Sequence, residues 1–147
     1  MKLPIHTLEE IKKLIPQKEP FIMVSSLLSC SSEEGITALK IEADNILIEE
    51  NQFSEAGLLE HMAQSIALQG GFLAKQNVEK RPKIGYIISI KSAKIYQLPE
   101  INSTIKSNVR KIHEIAGMTN SLVMVKNEQE QLLAEAEIKT YEQKTGN

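Results

Sequence analysis

Between positions 57 and 74, Leu58, Leu59, Met62, Ala63, Ile66, Ala67, Gly70, Leu73 and Ala74 recur with a helical period and no proline interrupts them. The spacing predicts one long buried helix. Upstream, Thr7 followed by Glu10 forms a capping box. It opens a short helix with Leu8, Ile11, Leu14 and Ile15 on one face and Pro16 at its end. Residues 21–31 are apolar and β-prone, and across the turn at 31–35 the run 36–43 reads as the returning strand of a hairpin. Residues 44–54 read as an approach loop, with Ser54 as N-cap of the long helix. After a polar connection at 76–83, four strand-like runs follow, at 84–96, 101–115, 119–126 and 131–141. Their joints, at Leu98-Pro99-Glu100, Ala116-Gly117 and Lys126-Asn127-Glu128-Gln129, have turn chemistry. In the last run Leu133, Glu135, Glu137 and Lys139 oppose Ala134, Ala136, Ile138 and Thr140, which predicts one dry and one wet sheet face.

Helix, hairpin, long apolar helix and antiparallel meander together make an α+β pattern. A sheet curled around one central helix would bury that helix on most sides, and Ala63, Ala67, Gly70 and Gly71 would let the strands approach closely. The 147 residues fit a single domain, 1–147, large enough to bury a core of its own. With 17 basic and 19 acidic residues interspersed there is no basic footprint, so nucleic-acid binding is not expected. Six aromatics and no tryptophan weaken any reading built on base stacking. The single Cys30 excludes an intramolecular disulfide and a multi-cysteine metal site, which suits a reducing compartment, and a cytoplasmic location is expected. The opening MKLPIHTLEEIKKLIP lacks an apolar core followed by a cleavage site, so no signal peptide is expected. No apolar run approaches the ~18 residues of a membrane span.

One ionisable residue, Glu60, stands near the start of the long helix, with Gln64 on the same face one turn later. Two explanations fit. A carboxylate at a helix N-terminus is favoured by the free N–H groups and the dipole; alternatively, Glu60 does chemistry at a carbonyl compound.

Two stretches bear on that choice. Leu14-Ile15-Pro16-Gln17-Lys18-Glu19-Pro20-Phe21-Ile22-Met23-Val24 resembles the opening of the 3-hydroxyacyl-acyl-carrier-protein dehydratases, in which a leucine-proline-histidine-x-x-proline-phenylalanine pattern begins the first strand. Glu60-His61-Met62-Ala63-Gln64 resembles that family's helix motif, a glutamate preceding Met-Ala-Gln. The two lie in the family's order and near its separation. The resemblance implies the hot-dog fold, an antiparallel sheet wrapped around one long central helix, and a dimer. Its active sites would lie at the dimer interface, histidine from one subunit and glutamate from the other. A weaker likeness, through Lys83-Ile84-Gly85-Tyr86-Ile87, is to dehydratase-like proteins of aryl-polyene pathways. The departures are specific. Gln17 stands where the family has its histidine, Ser25-Ser26 replace a charged pair, and the Pro/Gly-rich segment before the helix has become Asn51-Gln52-Phe53-Ser54-Glu55-Ala56.

Dehydration of a 3-hydroxyacyl thioester needs a base for the α-proton and an acid for the departing hydroxyl. Glutamine cannot gain or lose a proton near neutral pH, so Gln17 can orient a group but not act as that base. Of the three histidines, His61 adjoins Glu60 but points about 100° around the helix, while His6 and His113 are expected to be solvated or hydrogen-bonded. Three functions stay open. The chain is a dehydratase-like protein acting on or binding 3-hydroxyacyl thioesters, impaired as a homodimer, in fatty-acid or polyketide-like metabolism. Alternatively it is an acyl thioesterase in which Glu60 activates water while the Gln17 amide and the amides around Gly57 polarise the carbonyl. In the third reading it is the non-catalytic subunit of a heterodimeric dehydratase, Glu60 serving a histidine on its partner. The candidate site residues are Glu60 and Gln17 for catalysis and Gly57, Gln64, Phe21 and Met23 for the substrate. Phe21, Met23, Met62 and Phe72 are otherwise expected in the core. No metal or diffusible cofactor is implied, since the phosphopantetheine arm arrives with the substrate. The expected partners are acyl carrier protein or a CoA thioester, and a second copy or a related hot-dog protein.

Overall fold

The long apolar period forms a 22-residue helix, α2 (Glu55–Gln76), two residues longer at each end than the spacing predicts. The structure, a computed structural model, describes residues 1–76 and 83–144, with side-chain surroundings for 1–76 and 89–141. Most of the expected connection at 76–83 therefore lies outside the described residues. Before α2 come α1 (Leu8–Ile11), β1 (Ser26–Cys30), β2 (Glu34–Lys40) and the short strands β3 (Ile48–Glu49) and β4 (Gln52–Phe53). After it come β5 (Lys83–Ile95), β6 (Thr104–Ile115), β7 (Met118–Lys126) and β8 (Leu132–Lys144). Six strands make one antiparallel sheet in the order β1-β2-β6-β7-β8-β5, and α2 packs against every one of them.

The sheet's inner face is set by alternation. Along β7, Thr119, Ser121, Val123 and Val125 are buried and the residues between them are not; along β8, Ala134, Ala136, Ile138 and Thr140 are buried as expected. Of these, Val123, Val125, Ala134, Ala136 and Ile138 join Leu39, Ile41, Ile105 and Val109 in one cluster with Leu58 and Met62 of α2. A second apolar cluster covers the far half of the helix. There Ile5, Ile11, Leu14, Ile15, Val24 and Leu27 close over Leu68 and Phe72. The helix is thus held between the sheet and an N-terminal strap.

Several expected elements change. The first helix is one turn long, because the backbone leaves the α-helix at Lys12, and Leu8 is 47% exposed instead of facing the core with Ile11, Leu14 and Ile15. Its cap is as expected, with Thr7 Oγ1 accepting from the Glu10 N–H at 3.3 Å. The strand expected over 21–31 begins only at Ser26, and the one expected over 36–43 runs instead over Glu34–Lys40. Within the expected loop 44–54, β3 and β4 pair Glu49 with Gln52 around Glu50 and Asn51. Both turn residues have positive φ, 50° and 63°, the conformation of a tight primed turn.

The strap sits so close to α2 that a Cβ on Gly71 would overlap the Leu14 carbonyl. A backbone atom cannot swing away as a side-chain tip can. Gly71→Ala is therefore expected to lose about 1–3 kcal/mol in urea unfolding, although the same change in an unobstructed helix would gain about 1 kcal/mol. A gain in stability would show that the strap is not held there.

Candidate active site on the buried face of the central helix

The sequence predicts an otherwise apolar helix, yet the buried face of α2 carries His61, Gln64, Ser65 and Gln69 among Leu58, Met62, Leu68 and Phe72. Each of these four polar side chains is hydrogen-bonded, which removes most of the cost of burying it. Ser65 Oγ donates to the His61 carbonyl at 2.8 Å and lies 2.7 Å from Thr37 Oγ1 of β2. Gln69 Nε2 donates to the Ser31 carbonyl at 3.1 Å.

Gln64 and His61 together supply backbone partners to residues 21–23, which have no bond to the sheet among the described residues. Gln64 Oε1 accepts from the Met23 N–H at 2.6 Å, and Gln64 Nε2 donates to the Phe21 carbonyl at 2.8 Å. From the next turn, His61 Nδ1 donates to the Met23 carbonyl at 2.7 Å. Both polar groups of Met23 are thereby satisfied by α2, and the chain meets the sheet two residues on, where the Ser25 N–H donates to the Ala38 carbonyl at 2.8 Å. The other imidazole nitrogen, Nε2, lies 2.7 Å from Ser107 Oγ on β6. Complete burial lowers the His61 pKa from 6.5 to about 4, outweighing the bond to Met23, which favours the charged form. The ring is neutral at pH 7, with its proton on Nδ1 and the Ser107 hydroxyl donating to Nε2. His61 is thus a structural clamp. His6 is exposed with Nδ1 3.0 Å from Ser26 Oγ, and His113 is exposed on β6.

Glu60 stands at the rim of this network. It is the sixth residue of α2, past the first turn, where the acid is Glu55, so stabilisation by the free N–H groups of the helix start does not account for it. Its side chain is half-buried, and Oε1 accepts from Gln64 Nε2 at 3.0 Å. The shared face expected for Glu60 and Gln64 is thus a direct contact. The same amide that pins Phe21 and Met23 also orients the carboxylate.

The other candidates are placed differently. The Gly57 N–H donates to Ser54 Oγ at 3.1 Å, as the expected N-cap requires, so the amide expected to polarise a carbonyl is already engaged. Gly57 instead lets Phe53 approach, since a Cβ there would stand 2.6 Å from its ring. Met23 is fully buried beside Met62 in the core under the sheet. Phe21, expected at the substrate or in the core, is instead 58% exposed, while its carbonyl accepts from Gln64 Nε2. Gln17 lies in the turn after α1, its side-chain Oε1 buried without a hydrogen-bond partner among the described residues. No hydrogen bond joins Gln17 to Glu60 within the described residues of one chain. Ser107 carried no signal in the sequence, being a small residue on an inward strand position.

A family model described as ApeP-like, ApeP dehydratase, matches residues 9–147. The chain belongs to the ApeP-like dehydratase family. It takes the hot-dog fold, and the solved structures it resembles agree. The dehydratase heterocomplex ApeI:P from Xenorhabdus doucetiae matches with a TM-score of 0.82 at 12% identity, over 99% of this chain and 94% of that one. A hypothetical thioesterase from Streptococcus pneumoniae with coenzyme A matches at 0.68 and 9% identity, covering 95% and 99%. The E. coli PaaI protein of the phenylacetic acid degradation operon matches at 0.64 and 10%, covering 78% and 80%. At these identities the three structures speak to the fold alone. No curated protein matches. Of the residues expected to be catalytic, Glu60 is braced by Gln64.

Proposed function

We propose that this ApeP-like chain is the carboxylate-bearing subunit of a hetero-oligomeric dehydratase acting on 3-hydroxyacyl thioesters, its Glu60 completing a site whose histidine comes from a related hot-dog partner. The observation that carries this reading is the asymmetry between Glu60 and Gln17. Gln64 holds Glu60 Oε1 at 3.0 Å on a half-buried side chain, whereas Gln17 has no proton to exchange. In the reaction, the partner's imidazole takes the proton from C2. The C2–H electron pair becomes the C2–C3 double bond as the C3–O bond breaks, and Glu60 delivers a proton to the departing hydroxyl, which leaves as water. ApeI:P, which this chain resembles in fold, is a dehydratase heterocomplex, and that supports a second, different subunit here. β5, 13 residues long at one end of the sheet order, offers an open edge for a partner strand.

The test is to purify the chain alone and together with histidine-bearing hot-dog proteins from the same genome, and to follow dehydration of 3-hydroxybutyryl thioester. The chain alone is expected to be slow and the complex fast. Gln17→His, which restores a base, is expected to raise the rate of the chain alone. Ordinary enzyme turnover by the wild-type chain without a partner would reject the proposal. Thiol release from acyl-CoA that disappears in Glu60→Ala would favour a thioesterase instead.

A further inference from the structure

The outer face of an antiparallel sheet packed on a helix is ordinarily polar, but from Met118 to Met124 the outer positions of β7 are Met118, Asn120, Leu122 and Met124. Met118 is 43% exposed, and Leu122 and Met124 are half-buried. The strands on either side of this apolar spine differ in charge. Opposite Leu122 stand Arg110 of β6 and Glu137 of β8, and opposite Met124 stand Asn108 and Glu135. Arg110 is exposed, and Glu137 lends one oxygen to Lys91 at 3.2 Å. At the far end Met118 lies between Ile115 and Tyr141, both exposed.

We infer that two copies of this chain pack through these outer faces about a twofold axis running along β7, with Leu122 at the centre. A twofold contact must be self-complementary, each residue meeting its counterpart in exchange. Rotation about an axis along β7 lays β6 of one copy over β8 of the other. Arg110 of each copy then faces Glu137 of the second, Asn108 faces Glu135, and Ile115 faces Tyr141. An axis across the strands at Leu122 would set Arg110 on Arg110 and Glu137 on Glu137, so the charges select the axis along β7. Packed sheets stand about 10 Å apart and cross at about 30°, so the match is tightest near Leu122 and fades toward the strand ends. It stops at Lys126, which this axis would set against itself. Opposite charges mirrored about a single strand are what a second copy requires. The contact leaves the β5 edge open, and it does not depend on the reaction assigned above.

Cross-linking and sedimentation of the full-length chain test this. With Leu122→Cys in a Cys30→Ser background, a photo-activated maleimide cross-linker is expected to join β7 of one copy to β7 of another. Pairing through two β5 edges would hold those positions about 24 Å apart, five strand spacings, and give no such product. Arg110→Glu and Glu137→Arg are each expected to weaken the association roughly tenfold or more, since each sets like charges face to face. An equimolar mixture of these two variants is expected to regain it, because every facing pair in the mixed dimer is again opposite in sign. The mixture changes neither chain's own fold, and the cross-link does not depend on either variant. A wild-type chain that sediments as a monomer, single variants that associate as the wild type does, or a mixture no tighter than its components would each overturn the inference. So would a cross-link from Leu122→Cys only to a related hot-dog subunit or to acyl carrier protein when these are present.

Discussion

Glu60→Gln in the assembled complex is expected to lower the rate of 3-hydroxyacyl thioester dehydration by roughly two to four orders of magnitude, the usual contribution of a positioned proton donor. The substitution keeps the size of the side chain and an oxygen able to accept from Gln64 Nε2, so the network through Phe21 and Met23 should persist. Assembly and thermal midpoint are therefore expected to stay close to wild type while turnover collapses. Steady-state kinetics on the complex, with size-exclusion chromatography alongside, separates the two. A variant that assembles normally and retains more than a tenth of wild-type turnover would show that Glu60 moves no proton.

The second large effect concerns pH and stability. His61 has a pKa of about 4 in the folded chain against an ordinary 6.5, so between these values the unfolded chain binds a proton that the folded one does not. The stability this neutral imidazole contributes is fully present above pH 6.5, declines as pH falls through that value, and levels off below about pH 4. The difference amounts to about 3 kcal/mol. Urea unfolding at intervals between pH 7.5 and 4 measures it. His61→Gln cannot titrate, and is expected to be less stable at pH 7.5 but to follow a flatter curve on acidification. Parallel curves for the two proteins would show that His61 takes up its proton alike in the folded and unfolded chains. Because His61 holds the Met23 carbonyl while Gln64 holds its N–H, acid loosening would reach the segment carrying Phe21 and the brace on Glu60.

Much of this was legible without coordinates. The period of Leu58, Met62 and their neighbours announced α2, the capping box and Ser54 marked two helix starts, and the alternation from Ala134 to Thr140 marked the dry face of β8. The spacing of Glu60 and Gln64 put both on one helix face, and they are in contact. Ends were less legible. The strand expected over 21–31 starts five residues late because Gln64 and His61 satisfy its backbone, a competition between side chains 38 to 41 positions away that no local pattern records.

What the sequence by itself determined was periodicity: where the long helix and most of the strands run, and which face of β8 is apolar. Those properties depend on neighbours a few residues away, and the chain carries them in its own order. The tertiary structure decided which polar groups are spent and which are left over. It closed His61 between Met23 and Ser107, occupied the Gly57 amide, turned Phe21 outward, braced Glu60 and left Gln17 Oε1 buried with no hydrogen-bond partner among the described residues. The physical reason is that hydrogen-bond satisfaction is settled between groups distant along the chain, each reachable only once helix, strap and sheet have met.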